Sequence, residues 1–581
     1  MSDEHPGAAD EDVRRTGATA ATEPRRSAGV TVKRRTALLV LGALCLQFAV
    51  LGAVEAWRDS PTIDEPLYIA SGVTALTRHQ FRFNIETGPL PKVLGALPVL
   101  LAHPVIPNGA SWAKGDGQAF TTEFVQAQVR TGKLRRILFL ARSVSILEGL
   151  LVGVVIYALA AGLFGRVAGL VGAGLWLTTG YVLGMTHVVG IDVPNALFSL
   201  VGCLCLSRYL RHPSWRGAGL VGLAGGLALL TRATGLLLVG ALVIGVVAGD
   251  FRHLRQALVR GAMVLAIAWA SVWGGVRLLA PSPAPVMTTS AFCFPQPSTA
   301  QDVLAPVPWP VEYERAFDFH FACSNRPGAG FLFGRYWEGA RWWYWPGSML
   351  VKLPVSVLAV MALGLLSWFT LDRVTAGRAL LAVGLPALID TTFTLQVPRP
   401  QGLRYLLPSI ALAMVAGSAF VRVVRRSRLV LPLVGVLAVV QLSLLVDAVP
   451  NSLSWTTPPF RPGYRTVTEA DLDWGQNFYG LQRWARGKNA FIAYYGPFIG
   501  RLPSSRPLLG TDPRRIRGWV AVSASLLTRD NREPLSWLRA YCPVSTLDGS
   551  ILVYRFERPP DPAPGPVAPP GLCAGEISHR T

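Results

Sequence analysis

The chain has 581 residues, of which 51% are hydrophobic and 15% charged, with a mean hydropathy of +0.38. Soluble domains carry about 25% charged residues, so this composition excludes an ordinary soluble protein. The net charge of +21 does not imply nucleic-acid binding, because Lys and Arg sit between apolar runs rather than along an aromatic-interleaved face.

Residues 1–35 are polar, end in VKRR and offer no apolar face to bury, which predicts a disordered cytoplasmic tail. The apolar run that follows has no clear small-residue cleavage site, and Glu55-Ala56-Trp57 is a poor one, so it reads as an anchored span. The apolar runs predict about eleven spans, using the roughly 20 residues a bilayer core requires. They lie near residues 37–57, 137–164, 168–185, 193–210, 217–230, 235–247, 257–279, 348–369, 379–395, 405–424 and 430–448. The fifth and sixth are short and broken at Thr231-Arg232, which also allows one long bent element.

Short connectors rich in Lys and Arg stay on the cytoplasmic side. Arg166, then Arg211 and Arg216, Arg252 and Arg255, Arg373 and Arg378, and finally Arg422, Arg425, Arg426 and Arg428 all agree with one topology. It places the N-terminus inside and three large segments outside: 58–136, 281–347 and 450–581. Within the last, NAFIAYYG, GWVAVSAS and SILVYRFE are β-prone and NFYGLQRWARG is helical in pattern. We therefore expect an extracytoplasmic α/β domain over 450–558, after a transmembrane domain over 36–449 and before a disordered Pro-rich tail over 559–581. Cys203 and Cys205 sit in an apolar run as small core residues, whereas an oxidising exterior permits Cys293–Cys323 and Cys542–Cys573 bridges.

Chemistry begins about seven residues beyond the first span, where DSPTIDEPLYIASG carries Asp64 and Glu65. An acidic pair at an interface is by default simply solvated. Its context is more specific: Phe83-Asn84 and Gly88-Pro89-Leu90-Pro91-Lys92 follow, and together the stretch resembles the N-terminal motif of the protein O-mannosyltransferase-like, GT-C class of membrane glycosyltransferases. The departure at Gly88, where that family commonly has Pro, is expected to cost little. Further segments are similar to the family in order: LFLARSVS with Arg142, HVVGIDVPN with Asp192, GGLALLTRATG with Arg232, WWYWPGSMLVKLP with Lys352, RYLLP with Arg404-Tyr405, and EADLDWGQN with Asp473, Trp474 and Gln476.

The resemblance implies a polytopic GT-C fold and transfer of a sugar, with mannose one choice, from a polyprenyl-phosphate donor to a hydroxyl on a protein, lipid or glycan. The bacterial plasma membrane is the expected location. In an inverting transfer Asp64 takes the acceptor proton, with Glu65 and Asp192 beside it, and Arg142, Lys352 and Arg404 hold the donor phosphate. Asn84, Lys92, Arg232 and Tyr405 complete the motif positions, and Asp473 is placed to cap a following helix. A buried Glu148 is expected to meet a partner within the bundle, and Trp342 to Trp345 to form an interfacial belt. Asp64-Glu65 lacks the D-x-D spacing of nucleotide-sugar enzymes, and no His–carboxylate cluster or glycine-rich phosphate loop appears, so neither a divalent cation nor a nucleotide donor is clearly called for. A lipid or sugar transporter and a cell-envelope glycan polymerase or ligase are the rival readings; no internal repeat supports a transporter built from duplicated halves.

Overall fold

The computed structural model of the chain describes residues 32–85, 87–283, 307–324, 326–424, 430–497, 499–500, 502, 504–528 and 534–560. Most of the expected N-terminal tail, nearly all of the Pro-rich tail, Arg425, Arg426, Arg428, Cys293 and Cys573 lie outside the described residues. Cys542 is disulfide-bonded, and the two expected pairings cannot be followed further because one cysteine of each falls outside that set.

The chain is a polytopic α-helical membrane protein. Helices fill all eleven predicted segments, but among the described residues five are both long and apolar enough to cross a bilayer: Arg34–Arg58, Leu134–Phe164, Phe251–Leu279, Arg373–Leu395 and Leu403–Phe420. A sixth arises if Arg166–Leu177 and Gly180–Thr186, bent by 66° at Thr178-Thr179, count as one span. The figure of eleven therefore exceeds what helix length and apolarity establish among the described residues. At Thr231-Arg232 the backbone leaves the helix, Arg232 being extended at φ −156°, so Trp215–Thr231 and Gly235–Gly249 are separate helices. Large apolar side chains such as Leu39, Leu265 and Val446 remain exposed on the helix exteriors, as a lipid-facing belt requires.

The first loop folds over the helix ends. It holds the helices Glu65–Arg78, Pro89–Ala96 and Gly117–Arg130, the last capped by Asp116, whose Oδ1 accepts from Gln118 and Ala119 at 3.1 and 3.0 Å. A hairpin, β1 (Ala329–Leu332) and β2 (Arg335–Glu338), belongs to the second large loop. The C-terminal segment forms a five-stranded mixed sheet in the order β4-β3-β5-β7-β6, from β3 (Phe491–Ala493), β4 (Arg506–Pro507), β5 (Gly518–Ser523), β6 (Ser545–Leu547) and β7 (Ile551–Phe556). Strands β3, β4 and β5 are parallel, and β7 runs antiparallel to both neighbours.

From Val32 onward the chain is one compact unit rather than a membrane part with a separate appendage. Polar cross-links explain why. The Lys352 ammonium donates to the carbonyls of Leu453, Trp455 and Asp471, and the backbone amide of Ser60 donates to the Gln476 carbonyl at 2.9 Å.

Candidate active site

The first helix ends where Asp59 turns extended ahead of Ser60 and Pro61, and the turn delivers Asp64 as the residue before the helix Glu65–Arg78. Asp64 makes no side-chain capping bond there, so its carboxylate stays available. Glu65 is spent. Its Oε2 accepts the Thr62 amide at 2.8 Å, its Oε1 accepts the Val189 amide at 2.9 Å, and both oxygens pair with Arg142 at 2.6 and 2.8 Å. Burial alone would raise the Glu65 pKa, but the Arg142 guanidinium and the two amides hold it below the usual carboxylate range.

Arg142 was expected at the donor phosphate. The structure gives it other work: its remaining N–H groups donate to the carbonyls of Ala56, Asp59 and Ser60 at 2.8–2.9 Å, and the side chain is fully buried. Both bonds to Glu65 and these three use all five guanidinium donors. Lys352 departs from expectation in the same way, since three carbonyls take its three donors and it is 0% exposed. Neither has a hydrogen left for a phosphate.

Asp64, Asp192, Arg232 and Arg404 converge. Arg404 Nη1 stands 3.6 Å from Asp64 Oδ2 and 3.8 Å from Asp192 Oδ2, and Arg232 Nη1 donates to Asp192 Oδ1 at 2.9 Å. The Arg404 distances exceed a hydrogen bond; its Nε donates to the Gln401 carbonyl at 3.2 Å. Arg404 therefore differs from Arg142 and Lys352 in keeping terminal donors for a further anion. Tyr405 lies between the two cations, with Arg232 4.5 Å and Arg404 5.6 Å from its ring, and its hydroxyl donates to Gln401 at 2.8 Å. Asp192 opens the helix Asp192–Tyr209, where the positive end of the helix dipole favours an anion. Burial raises the Asp64 pKa, Arg404 opposes that rise, and the neighbouring Asp192 and Glu65 charges add to it. About 35% of the Asp64 side chain stays exposed.

The other motif residues shape the walls. Lys92 is buried and donates to the carbonyls of Asn84 and Thr87 at 2.6 and 2.9 Å, while Asn84 adopts φ 52° and takes the Thr87 hydroxyl on its side-chain oxygen. They build a loop. Gly88 is not a neutral departure, because a Cβ there would stand 2.2 Å from the Leu230 carbonyl oxygen. The loop needs a residue without a side chain to lie so close to the end of the helix that precedes Arg232.

Asp473 does not cap the helix Phe478–Ala485; Asn477 precedes that helix and no side chain caps it. Asp473 Oδ1 instead accepts the Gly475 amide and Oδ2 the Ser525 amide, both at 3.2 Å, and burial pushes its pKa up to about 7. Gly475 takes φ +90°, and the turn around it is stitched to the Asp64 loop. Ser60 Oγ donates to the Gly475 carbonyl at 3.1 Å and accepts the Phe478 amide at 2.8 Å, and the Ile63 amide donates to the Trp474 carbonyl at 2.9 Å. Gln476 closes the turn from within, accepting the Trp474 amide at 2.8 Å. The Trp474 ring lies 4.3 Å from the Arg404 guanidinium.

Other buried polar residues stand beside these. His187, buried at the end of its helix, lies 3.2 Å from Glu55 Oε2 and 3.1 Å from Asp59 Oδ2, and Asp471 accepts the Leu403 amide beside Arg404. Ser60 and Asp471 lie within the motif stretches, but their partners Gly475, Lys352 and Leu403 are 415, 119 and 68 residues away, so no local pattern shows the pairing. Glu148 is 6% exposed, buried among the helices as expected, and forms no ion pair among the described residues. Of the aromatic cluster, Trp342 is exposed while Tyr344 and Trp345 turn inward, the Tyr344 hydroxyl accepting the Gly402 amide at 3.1 Å. Among the described residues no group of three or more His, Cys, Asp or Glu is placed to hold a metal.

The profile of the family described as dolichyl-phosphate-mannose-protein mannosyltransferase matches residues 136–274, the stretch that carries Arg142, Asp192 and Arg232. No curated protein matches. Among solved structures, ArnT from Cupriavidus metallidurans bound to undecaprenyl phosphate is similar at 16% identity over 66% of this chain and 59% of its own, with a TM-score of 0.43. The Archaeoglobus fulgidus oligosaccharyltransferase AglB, in complex with an inhibitory peptide and a dolichol-phosphate, matches at 12% identity over 89% of this chain and 74% of its own, with a TM-score of 0.46. The Saccharomyces cerevisiae Pmt1-Pmt2 complex bound to the sugar donor matches at 14% identity over 52% of this chain and 39% of its own, with a TM-score of 0.31.

Proposed function

We propose that the chain is a membrane glycosyltransferase that moves a sugar from a polyprenyl-phosphate donor to an acceptor hydroxyl, with Asp64 as the base. Asp64 takes the hydroxyl proton as the acceptor oxygen bonds to the anomeric carbon. The bond from that carbon to the phosphate oxygen breaks on the opposite face, and its electron pair leaves on the phosphate. Arg404 and Arg232 meet that charge from fixed positions, which avoids reorganisation at the moment of transfer. Asp192 holds the two guanidiniums apart and in place.

One observation carries this reading. A partly exposed carboxylate stands 3.6 Å from a guanidinium with donors to spare, whereas Arg142 and Lys352 have every donor taken within the protein. A base and an anion-binding group then stand side by side. The ordered motifs and the family profile over residues 136–274 support the same class. The proposed setting is the outer face of a bacterial plasma membrane, with mannose the first sugar to test and a protein, lipid or glycan as acceptor.

Membranes containing the protein are incubated with polyprenyl phosphates carrying labelled mannose, glucose or galactose. One of them should lose its label to an acceptor, and Asp64→Asn should reduce that transfer by ~10²–10⁴-fold without loss of the protein from the membrane. Transfer retained by Asp64→Asn would sink the assignment of the base.

A further inference from the structure

Three buried ionisable side chains, Glu55, Asp59 and His187, meet behind the Asp64 loop. Glu55 and Asp59 stand one helical turn apart at the end of the first helix, the Asp59 amide donating to the Glu55 carbonyl at 2.9 Å, and His187 lies between their carboxylates. Glu55 and His187 are 0% exposed and Asp59 7%. Glu55 also accepts the Ser452 hydroxyl and, at 3.3 Å, the Ser452 amide. Arg142 touches the Asp59 carbonyl but spends its donors on carbonyls and on Glu65, leaving none for either carboxylate. Among the described residues, His187 is thus the one cationic partner that Glu55 and Asp59 have.

Both ring nitrogens of His187 face acceptors. Nδ1 lies 3.1 Å from the Leu183 carbonyl oxygen and 3.2 Å from Glu55 Oε2, and Nε2 lies 3.1 Å from Asp59 Oδ2. A carbonyl only accepts, so Nδ1 carries a hydrogen. A neutral ring would then turn a bare lone pair on Nε2 toward a carboxylate, whereas an imidazolium donates at both positions. Burial lowers the His187 pKa, but the Asp59 hydrogen bond and the Glu55 and Asp59 charges outweigh it and leave the value raised, with the Arg142 charge opposing them.

The chain around His187 grips the catalytic loop at both ends. His187 holds Asp59, and just beyond it the Val189 amide donates to Glu65 Oε1 at 2.9 Å. Asp64 lies between these two points. We infer that His187 is a positioning residue: as an imidazolium bridging Glu55 and Asp59 it fixes the turn from which Asp64 projects, and loss of its proton frees that turn. Its bearing on transfer rests on the assignment of Asp64 as base; its charge and its hold on the loop do not. The sign follows from the raised pKa. The bridge is complete below the ordinary histidine value of about 6.5 and is lost as pH rises through the higher folded value.

The test uses the full-length protein in detergent with isotope-labelled histidine, the His187 NMR signal being the one absent from His187→Gln. At about pH 7.5, a unit above the ordinary value, that ring should be doubly protonated. Amide exchange in peptides covering 59–65, corrected for the intrinsic rate, should speed up by ~10- to 100-fold as the imidazolium is lost, the range for a hydrogen bond to a charged group. His187→Gln should exchange fast at every pH, and its sugar transfer should fall by ~10²-fold, the cost of a base displaced by about 1 Å. If His187→Gln does not fold, Asp59→Asn carries the test and identifies the signal, by lowering the pH at which the imidazolium is lost. A neutral Nδ1–H ring at that first pH, loop exchange without a pH step, or the same step in His187→Gln would each overturn the inference. The charge and the step found in a protein without transfer would uphold the bridge and overturn the glycosyltransferase reading instead.

Discussion

When one half of a buried ion pair is removed, the charge left behind has no water to turn to, and the loss runs to ~3–5 kcal/mol. Glu65 and Arg142 are such a pair, both fully buried and bonded through both carboxylate oxygens. Arg142→Met should therefore lower thermal stability sharply, as read by fluorescence-detected unfolding in detergent. Arg404→Gln acts on a looser pair at 3.6 and 3.8 Å, so stability should change little while transfer falls by ~10²–10³-fold. Asp473 offers a pH test. Its folded pKa near 7 lies above the unfolded value of about 4, so the folded protein keeps a proton that the unfolded chain releases between those values. Stability should decline as pH rises through that window, and Asp473→Asn should flatten the decline in melting curves taken from pH 4 to 8. The charges of Arg142, Lys352 and Arg404 were legible in the sequence, as was the expectation that they share one side of the membrane. Whether a cation's donors are already taken was not, since that depends on carbonyls such as Ala56 O and Leu453 O that any residue type supplies.

At the scale of elements, the contact at Gly88 decides more than its backbone angles do. Its φ of −56° suits proline, yet any Cβ would run into the Leu230 carbonyl. Gly88→Ala and Gly88→Pro should both push the Pro89–Ala96 helix off its neighbour and cost about 1–3 kcal/mol in unfolding measurements, with transfer reduced as Arg232 shifts. An unchanged melting temperature in Gly88→Pro would show that the loop accommodates a side chain. Apolar runs located the helices because a bilayer demands about 20 such residues, and the β-prone runs located β3, β5 and β7. The β1–β2 hairpin gave no comparable signal. Its turn is Phe333-Gly334 with φ of 51° and 74°, so a bulky residue stands where Asn or Asp is the usual cue. Strand β4 is two residues long and contains a proline, too short for any alternation to show.

For the whole molecule, the polar stitching predicts that the membrane helices do not fold without the C-terminal sheet. Ending the chain at Val449 removes all three acceptors of the Lys352 ammonium, which then has neither water nor partner. Such a truncation should aggregate on size-exclusion chromatography, and a monodisperse peak would contradict it. This unity was not legible in the sequence, where the change of composition near Pro450 looks like a boundary. Compositional shifts report solvent, whereas the bonds that join Lys352 to Asp471 or Ser60 to Gly475 report geometry. The Ser60–Gly475 bond also sets an order in time. The two residues are 415 positions apart, so at 5–20 residues per second the ribosome needs roughly 20–80 s to supply the second after the first. Throughout that interval the Asp64 loop waits without the turn that holds it. If the proposed function holds, a growing chain should thus transfer no sugar until the turn around Gly475 has been made and has met the Asp64 loop.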